Sequence, residues 1–207
     1  MASTRKQTRT RHESLDGNEL LVLELQEIHS AESQLARTLP RLAKAVEAEE
    51  LRSSIEERLS QGERLIKDIE STLEELEESP GRKKNIAAEG LISDAREHVQ
   101  EIEAGPTLDA VLIGSIQKTE HYCIAAWGTA RSLGASAGQK EIVKCMDRAI
   151  KEGKQMDETL TKLAEEKINP KLFAEKSADE EETEEEGSAA RSSGRGGNGR
   201  REERPTR

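Results

Sequence analysis

Glu32 and Glu120 occupy positions that a helix normally reserves for apolar side chains. From Leu20 to Val46, the residues Leu21, Leu25, Ile28, Leu35, Leu39, Leu42 and Val46 recur at steps of four and three, and the seam position between Ile28 and Leu35 is Glu32. A second stripe, Ala110, Ile113, Gln117, Ile124 and Trp127, is interrupted in the same way by Glu120. Residues at this spacing share one face of a helix, so both carboxylates are aimed at a core. A carboxylate placed there can ligate a hard metal ion together with other oxygen and nitrogen donors. It can also stay protonated, since burial and a second carboxylate both raise its pKa, or it can pair with a base. Arg58, Arg64 and Lys118 are candidate bases. Cys123, one turn from Glu120, reads as a soft ligand, a redox-sensitive thiol or simply a small apolar residue.

The elements that must position these residues follow from apolar periodicity. A first helix is predicted from about Asn18 to Ala48, with a kink at Pro40. A second carries Leu51, Ile55, Leu59, Gly62, Ile66, Ile69, Leu73 and Leu76, and stops at the turn Pro80-Gly81. A third, shorter one carries Ile86, Leu91, Ala95, Val99 and Ile102 and closes at Gly105-Pro106. Thr107 can cap the fourth, which is expected to break near Gly134. The fifth stripe is Ile142, Met146, Ala149, Gly153, Met156, Leu160 and Leu163, ending before Asn169-Pro170. Tyr122, Trp127, Met146, Met156 and Cys145 are assigned to packing.

Composition agrees with helices. Charged residues make up 36% of the 207 and aromatics 1%, too few for strands. Long stripes joined by short polar breaks predict an all-α fold, an antiparallel four-helix bundle with an additional shorter helix. The ordered part, about 150 residues, is large enough to bury roughly two-thirds of its chain surface. Residues 1–17 read as a disordered basic arm, 18–172 as the bundle domain, and 173–207 as a disordered tail, acidic from Asp179 to Glu186 and then Arg/Gly-rich. The net charge of −10 argues against a general nucleic-acid binder. Two cysteines are too few for a disulfide framework and fit a reducing cytoplasm. The N-terminus has no apolar signal region, and no run approaches the roughly 20 apolar residues of a membrane span.

Inward carboxylates on a long bundle resemble the ferritin-like architecture, in which two helices each give a Glu and two give Glu-x-x-His pairs to hold two metals. No Glu-x-x-His occurs here before His12, His29, His98 or His121. The seam positions facing Glu32 and Glu120 read Gly62-x-x-Leu65 and Gly153-x-x-Met156, and neither glycine nor an aliphatic side chain binds a hard ion. The stretches "IHSAESQLARTLPRLAKA", "AAEGLISDA", "QKTEHYCIAAWGTARSLG" and "KQMDETLTKLAEEKIN" resemble, in order and spacing, the YciE/YciF-type ferritin-like stress-protein family over residues 20–170. The resemblance implies a helical bundle with a two-metal centre, commonly a dimer, associated with bacterial stress responses. Carried over by motif, Glu32, Glu89, Glu120, His121 and Asp157 are the candidate metal ligands. Three departures stand out. Arg58-Leu59-Ser60-Gln61-Gly62 replaces a His-Leu-x-Glu-Thr stretch, Cys123 replaces a second glutamate after Glu120-His121-Tyr122, and Glu152-Gly153 replaces paired glutamates.

The reading that follows is a cytoplasmic stress-response protein with a degraded di-metal centre, acting as a non-catalytic structural or interaction protein. No cofactor is expected. The alternative is an oxidoreductase or iron-handling protein holding iron or manganese on a residual carboxylate site that includes Glu32, Glu89 and Glu120. A homodimer is expected, from the resemblance and from Leu20 and Leu23 outside the first seam. The Arg-rich end, with six Arg against two Glu from Arg191 onward, supports at most weak, salt-sensitive contacts with nucleic acid.

Overall fold

The computed structural model describes residues 14–174; the expected arm and tail lie almost wholly outside these described residues. Five helices follow in order, α1 (Gly17–Ala45), α2 (Glu49–Glu75), α3 (Ile86–Glu101), α4 (Pro106–Ser136) and α5 (Lys140–Leu163), and the described residues contain no strand. None of these helices is long and apolar enough to cross a membrane.

Side-chain pairs fix the directions. Gln26 donates to the Ser79 carbonyl at 2.7 Å and the Arg52 guanidinium to the Ala43 carbonyl at 3.1 Å, so α1 and α2 run antiparallel. Gln117 reaches Asp157 and Thr161, while Arg131 pairs with Asp147, so α4 and α5 do the same. Asp68 with Arg148 and Glu50 with Lys167 set α2 against α5. The Glu47 N–H donates to Asp109, which sets α1 against α4. The four long helices therefore form a square, α1-α2-α5-α4, with every neighbour antiparallel. The diagonal helices α2 and α4 run the same way, so the chain needs a long crossover between them, and α3 is that crossover. This is the one-crossover arrangement of ferritin-like bundles.

Local chemistry explains the ends. Asp16 caps α1, accepting from the Asn18 and Glu19 N–H groups, while Glu19 reaches back to the Asp16 N–H in a capping box. Residue 48 is an alanine and cannot cap α2; Asp109 of α4 supplies the missing acceptor, taking the Glu47 and Ala48 N–H groups at 2.9 Å each. Buried Asn85 caps α3 through Ala88 and donates to the Glu27 carbonyl and the Tyr122 hydroxyl, so one side chain pins α3 to both α1 and α4. Tyr122 is thus a half-buried hydrogen-bonded residue at that junction, whereas Trp127, Met146 and Met156 fill the core as expected.

Several expected boundaries shift. The first helix stops at Ala45, short of Ala48, and runs without interruption through Pro40, whose single missing donor is tolerated within a long packed helix. Gly105, with Pro106 at the first helical position, opens α4, and Thr107 lies inside it. α4 continues past Gly134 to Ser136, because Gly134 is buried against Ile142 and the turn itself is made by Gly138 at φ +71°. Beyond α5 the chain makes one π turn, Ala164–Ile168, and stays helical through 174; the wider turn comes just before Pro170, which lacks a donor N–H. On α2 the buried face is Leu51, Ile55, Arg58, Gly62, Leu65, Ile69 and Leu73: Arg58, one of the candidate bases, points inward in place of Leu59, and Leu65, read as a seam position facing the carboxylates, does so in place of Ile66. On α3 the buried residues are Ala88, Ile92 and Ala95, and Ile86 is exposed.

Candidate functional site

The middle of the bundle is built from one residue on each of three helices. Glu32 of α1, Arg58 of α2 and Glu120 of α4 are 1%, 2% and 1% exposed, fully buried charged groups in the bundle core. Arg58 presents both ends of its fork to Glu32, Nη1 to Oε2 and Nη2 to Oε1, each at 3.0 Å. Its Nε donates to Glu120 Oε1 on the other side. One guanidinium thus bridges the two carboxylates, using the geometry that suits arginine to bidentate pairing. The Trp127 ring lies over it, with Cζ 5.5 Å from the ring centroid, a cation–π contact in a dry site. Cys123 Sγ closes the remaining edge at 3.9 Å from Nη2.

Two glycines make the space. A Cβ on Gly62 would stand 2.9 Å from both Arg58 Nη1 and Glu32 Oε2. A Cβ on Gly153 of α5 would stand 2.7 Å from the Trp127 ring and 3.2 Å from Glu120 Oε2. A glycine inside a helix costs about 1 kcal/mol against alanine, and here the cost is repaid by close approach. In the sequence these positions signify only missing ligands; in the structure they are the room that Arg58 and Trp127 occupy.

The electrostatics follow from one cation shared by two carboxylates. Burial alone would lower the Arg58 pKa, but Glu32 and Glu120 more than offset it and hold the guanidinium well above its ordinary value. Burial pushes the Glu120 carboxyl up; Arg58 pulls it back down and Glu32 adds to the upward push. Glu120 Oε2 has no hydrogen-bond partner among the described residues, in keeping with a carboxyl whose charge is only half compensated. Burial first, then Glu32, pushes the Cys123 thiol well above its ordinary value, which disfavours the thiolate beside these carboxylates. Cys145 is likewise pushed up, to about 11, by burial and by Asp68.

Of the candidate ligands, only Glu32 and Glu120 reach the bundle centre, where Arg58 bridges them. Glu89 sits on the outer face of α3 and pairs with Lys84, so the shorter helix does not bring it to the centre. His121 is on the solvent side of α4, its side chain 68% exposed, with Nε2 3.3 Å from Asp157. Asp157 is held by Gln117 at 3.0 Å. Of the other two bases considered for the seam carboxylates, Arg64 pairs with Glu152 at 3.1 Å and Lys118 with Asp94 at 3.7 Å, both outside the core. No group of three or more His, Cys, Asp and Glu residues among the described residues is arranged to hold a metal ion. The donor set does not fit the two-metal centre that the fold implies. Three of the four oxygens of Glu32 and Glu120 already accept from a fixed cation, and the two remaining walls are glycines.

The model of a domain of unknown function, DUF892, matches residues 16–173. Protein YciF of Escherichia coli (strain K12) is 36% identical over 148 residues, 71% of this chain and 89% of that protein. The chain belongs to the YciF-type family, DUF892. The crystal structure of the Escherichia coli stress protein YciF superposes with a TM-score of 0.71 at 33% identity, over 75% of this chain and 99% of that one. YcfI from Rhodopseudomonas palustris, presented as a candidate structural protein, superposes with a TM-score of 0.68 at 26% identity, over 72% of this chain and 96% of that one. Family membership thus accounts for the helical architecture, and the Glu32–Arg58–Glu120 triad is this member's arrangement at its centre.

Proposed function

We propose that the chain is a stress-response protein of the YciF type whose di-metal centre has been replaced by an ionic triad, so that it acts as a structural or interaction protein without turnover. The observation that carries this reading is Arg58 itself. A fixed positive charge lies between the two inward carboxylates, at the place where a ferritin-like bundle brings its metal-binding carboxylates together. A divalent ion could enter only by displacing a guanidinium that has three charge-assisted hydrogen bonds and a stacked indole. The stress protein YciF and the candidate structural protein YcfI support the functional class. As a metal surrogate, Arg58 ties α1, α2 and α4 together from the inside, and Trp127 brings its contact to α5 through Gly153.

Thermal unfolding of the full chain, with and without a strong chelator and with added iron or manganese, tests the reading. A metal bound to the native state raises the midpoint by mass action. The triad reading expects no movement in either direction. A midpoint that falls with chelator and recovers with one metal equivalent would reinstate the metal-dependent alternative.

A further inference from the structure

A cleft of about 550 Å³ opens between α1 and α3, on the outside of the bundle. Arg37 and Arg41 line it from successive turns of α1, Arg96 from α3, and Lys84 from just ahead of the Asn85 cap. Among the described residues Glu89 is the only carboxylate in the lining, and Lys84 already engages it. Of the other arginines on the surface, Arg52 pairs with Glu49, Arg64 with Glu152, Arg131 with Asp147 and Arg148 with Asp68, while Arg82 forms no ion pair among the described residues. Arg37, Arg41 and Arg96 form no ion pair or side-chain hydrogen bond among the described residues. In a chain with 42 acidic residues against 32 basic ones, three unpaired guanidiniums converge on a single concavity.

We propose that this cleft binds a small phosphate-bearing anion. Guanidiniums recognise phosphate through paired N–H donors in a fixed fork, and several around one hollow can take different oxygens of the same group. The volume lies within the range of small-ligand sites. The floor is formed by buried Gln34 and Thr38, both held by hydrogen bonds, so the site has a polar base between the charged walls. Asn85 ties α3 to α1 at the adjoining end, through Ser30 and Gln34, which holds the two walls in register. The cleft is separate from the triad and its occupancy does not depend on the fate of the metal centre.

Calorimetric titration of the full chain with inorganic pyrophosphate at low ionic strength tests the proposal, because surface electrostatics are least screened there. One saturable site per chain is expected. Replacing both Arg37→Gln and Arg96→Gln should weaken it by about tenfold or more, which corresponds to about 1.4 kcal/mol. Arg82→Gln, on an exposed arginine outside the cleft, should leave it unchanged. All three substitutions fall on exposed side chains, so the fold is not at stake. The proposal is overturned by the absence of saturable binding at millimolar pyrophosphate, by a double variant that binds like the wild type, or by equal weakening from Arg82→Gln, which would mean diffuse surface charge.

Discussion

Replacing Arg58 by methionine removes the guanidinium that lies over Trp127 while keeping much of the apolar stem that carries it. Three hydrogen bonds go with it, leaving both oxygens of Glu32 and Oε1 of Glu120 without their buried donors. Two carboxylates then face each other in a site where the cation held between them is only 2% exposed. Breaking a buried pair by removing one partner typically costs about 3–5 kcal/mol. For a domain of this size that is a drop of roughly 6–20 °C in the thermal midpoint. The loss should depend on pH in a definite direction. Without Arg58, burial and mutual repulsion raise both carboxyl pKa values in the folded state above their unfolded values. Stability from such groups is fully present below the unfolded pKa and is lost as pH rises through the folded one. Urea unfolding followed by circular dichroism should therefore find the variant far weaker than the wild type at pH 7, with the gap narrowing toward pH 4.5. Restoring neutrality with Glu32→Gln and Glu120→Gln in the Arg58→Met background should recover most of the loss at pH 7. A single variant within about 1 kcal/mol of the wild type at pH 7 would refute the reasoning, since surface substitutions alone reach about half that.

Glu120→Gln in the otherwise native chain should be neutral or stabilising at pH 7, because Glu32 still compensates Arg58, a glutamine oxygen can still accept from its Nε, and the carboxyl being removed is pushed up by burial and has one oxygen without a partner among the described residues. Its unfolding free energy, measured from pH 4 to 8, should lack the decline that the wild type shows as pH rises through the folded Glu120 pKa; an unchanged profile would count against the assignment. Gly153→Ala should destabilise by about 1–3 kcal/mol through overpacking against the Trp127 ring, whereas Gly90→Ala on the exposed face of α3 should stabilise by up to about 1 kcal/mol. Equal effects of the two in chemical denaturation would mean that Gly153 is not making room for the indole. We also expect a homodimer, motivated by the exposed Leu20 and Ile86; light scattering of the full chain at micromolar concentration should give about twice the monomer mass, and a clean monomer would end that idea.

Glu32 and Glu120 were legible in the sequence because a charge in an apolar stripe is itself a signal, and the stripes of α1 and α5 read correctly along their length. The register of α2 was not. Leu59 is more apolar than Arg58 and as well spaced, and hydrophobicity alone prefers it, although Arg58 is among the candidate bases and Leu65 among the seam positions facing the carboxylates. The clue was present in Gly62, since a glycine in the interior of a long helix has a local cost that only close packing offsets. The face of α3 was misread for a similar reason. That helix lies on the outside of the bundle, and small residues such as Ala88 and Ala95 make its contacts while Ile86 stays exposed. Glu89, His121 and Asp157 came from motif correspondence, which conveys position along the chain and not the direction of a side chain. In the fold Glu89 pairs with Lys84 and His121 with Asp157, away from the bundle centre.

Elemental analysis of the full chain purified without chelator, after exposure to ferrous iron and manganese and removal of the excess, tests the central claim most directly. With Arg58 bridging Glu32 and Glu120, the expected content is far below one metal ion per chain, and the same low value is expected for Glu32→Gln. Stoichiometric iron or manganese in the native chain, absent from Glu32→Gln, would contradict the account and show that a metal displaces the guanidinium from the bundle centre.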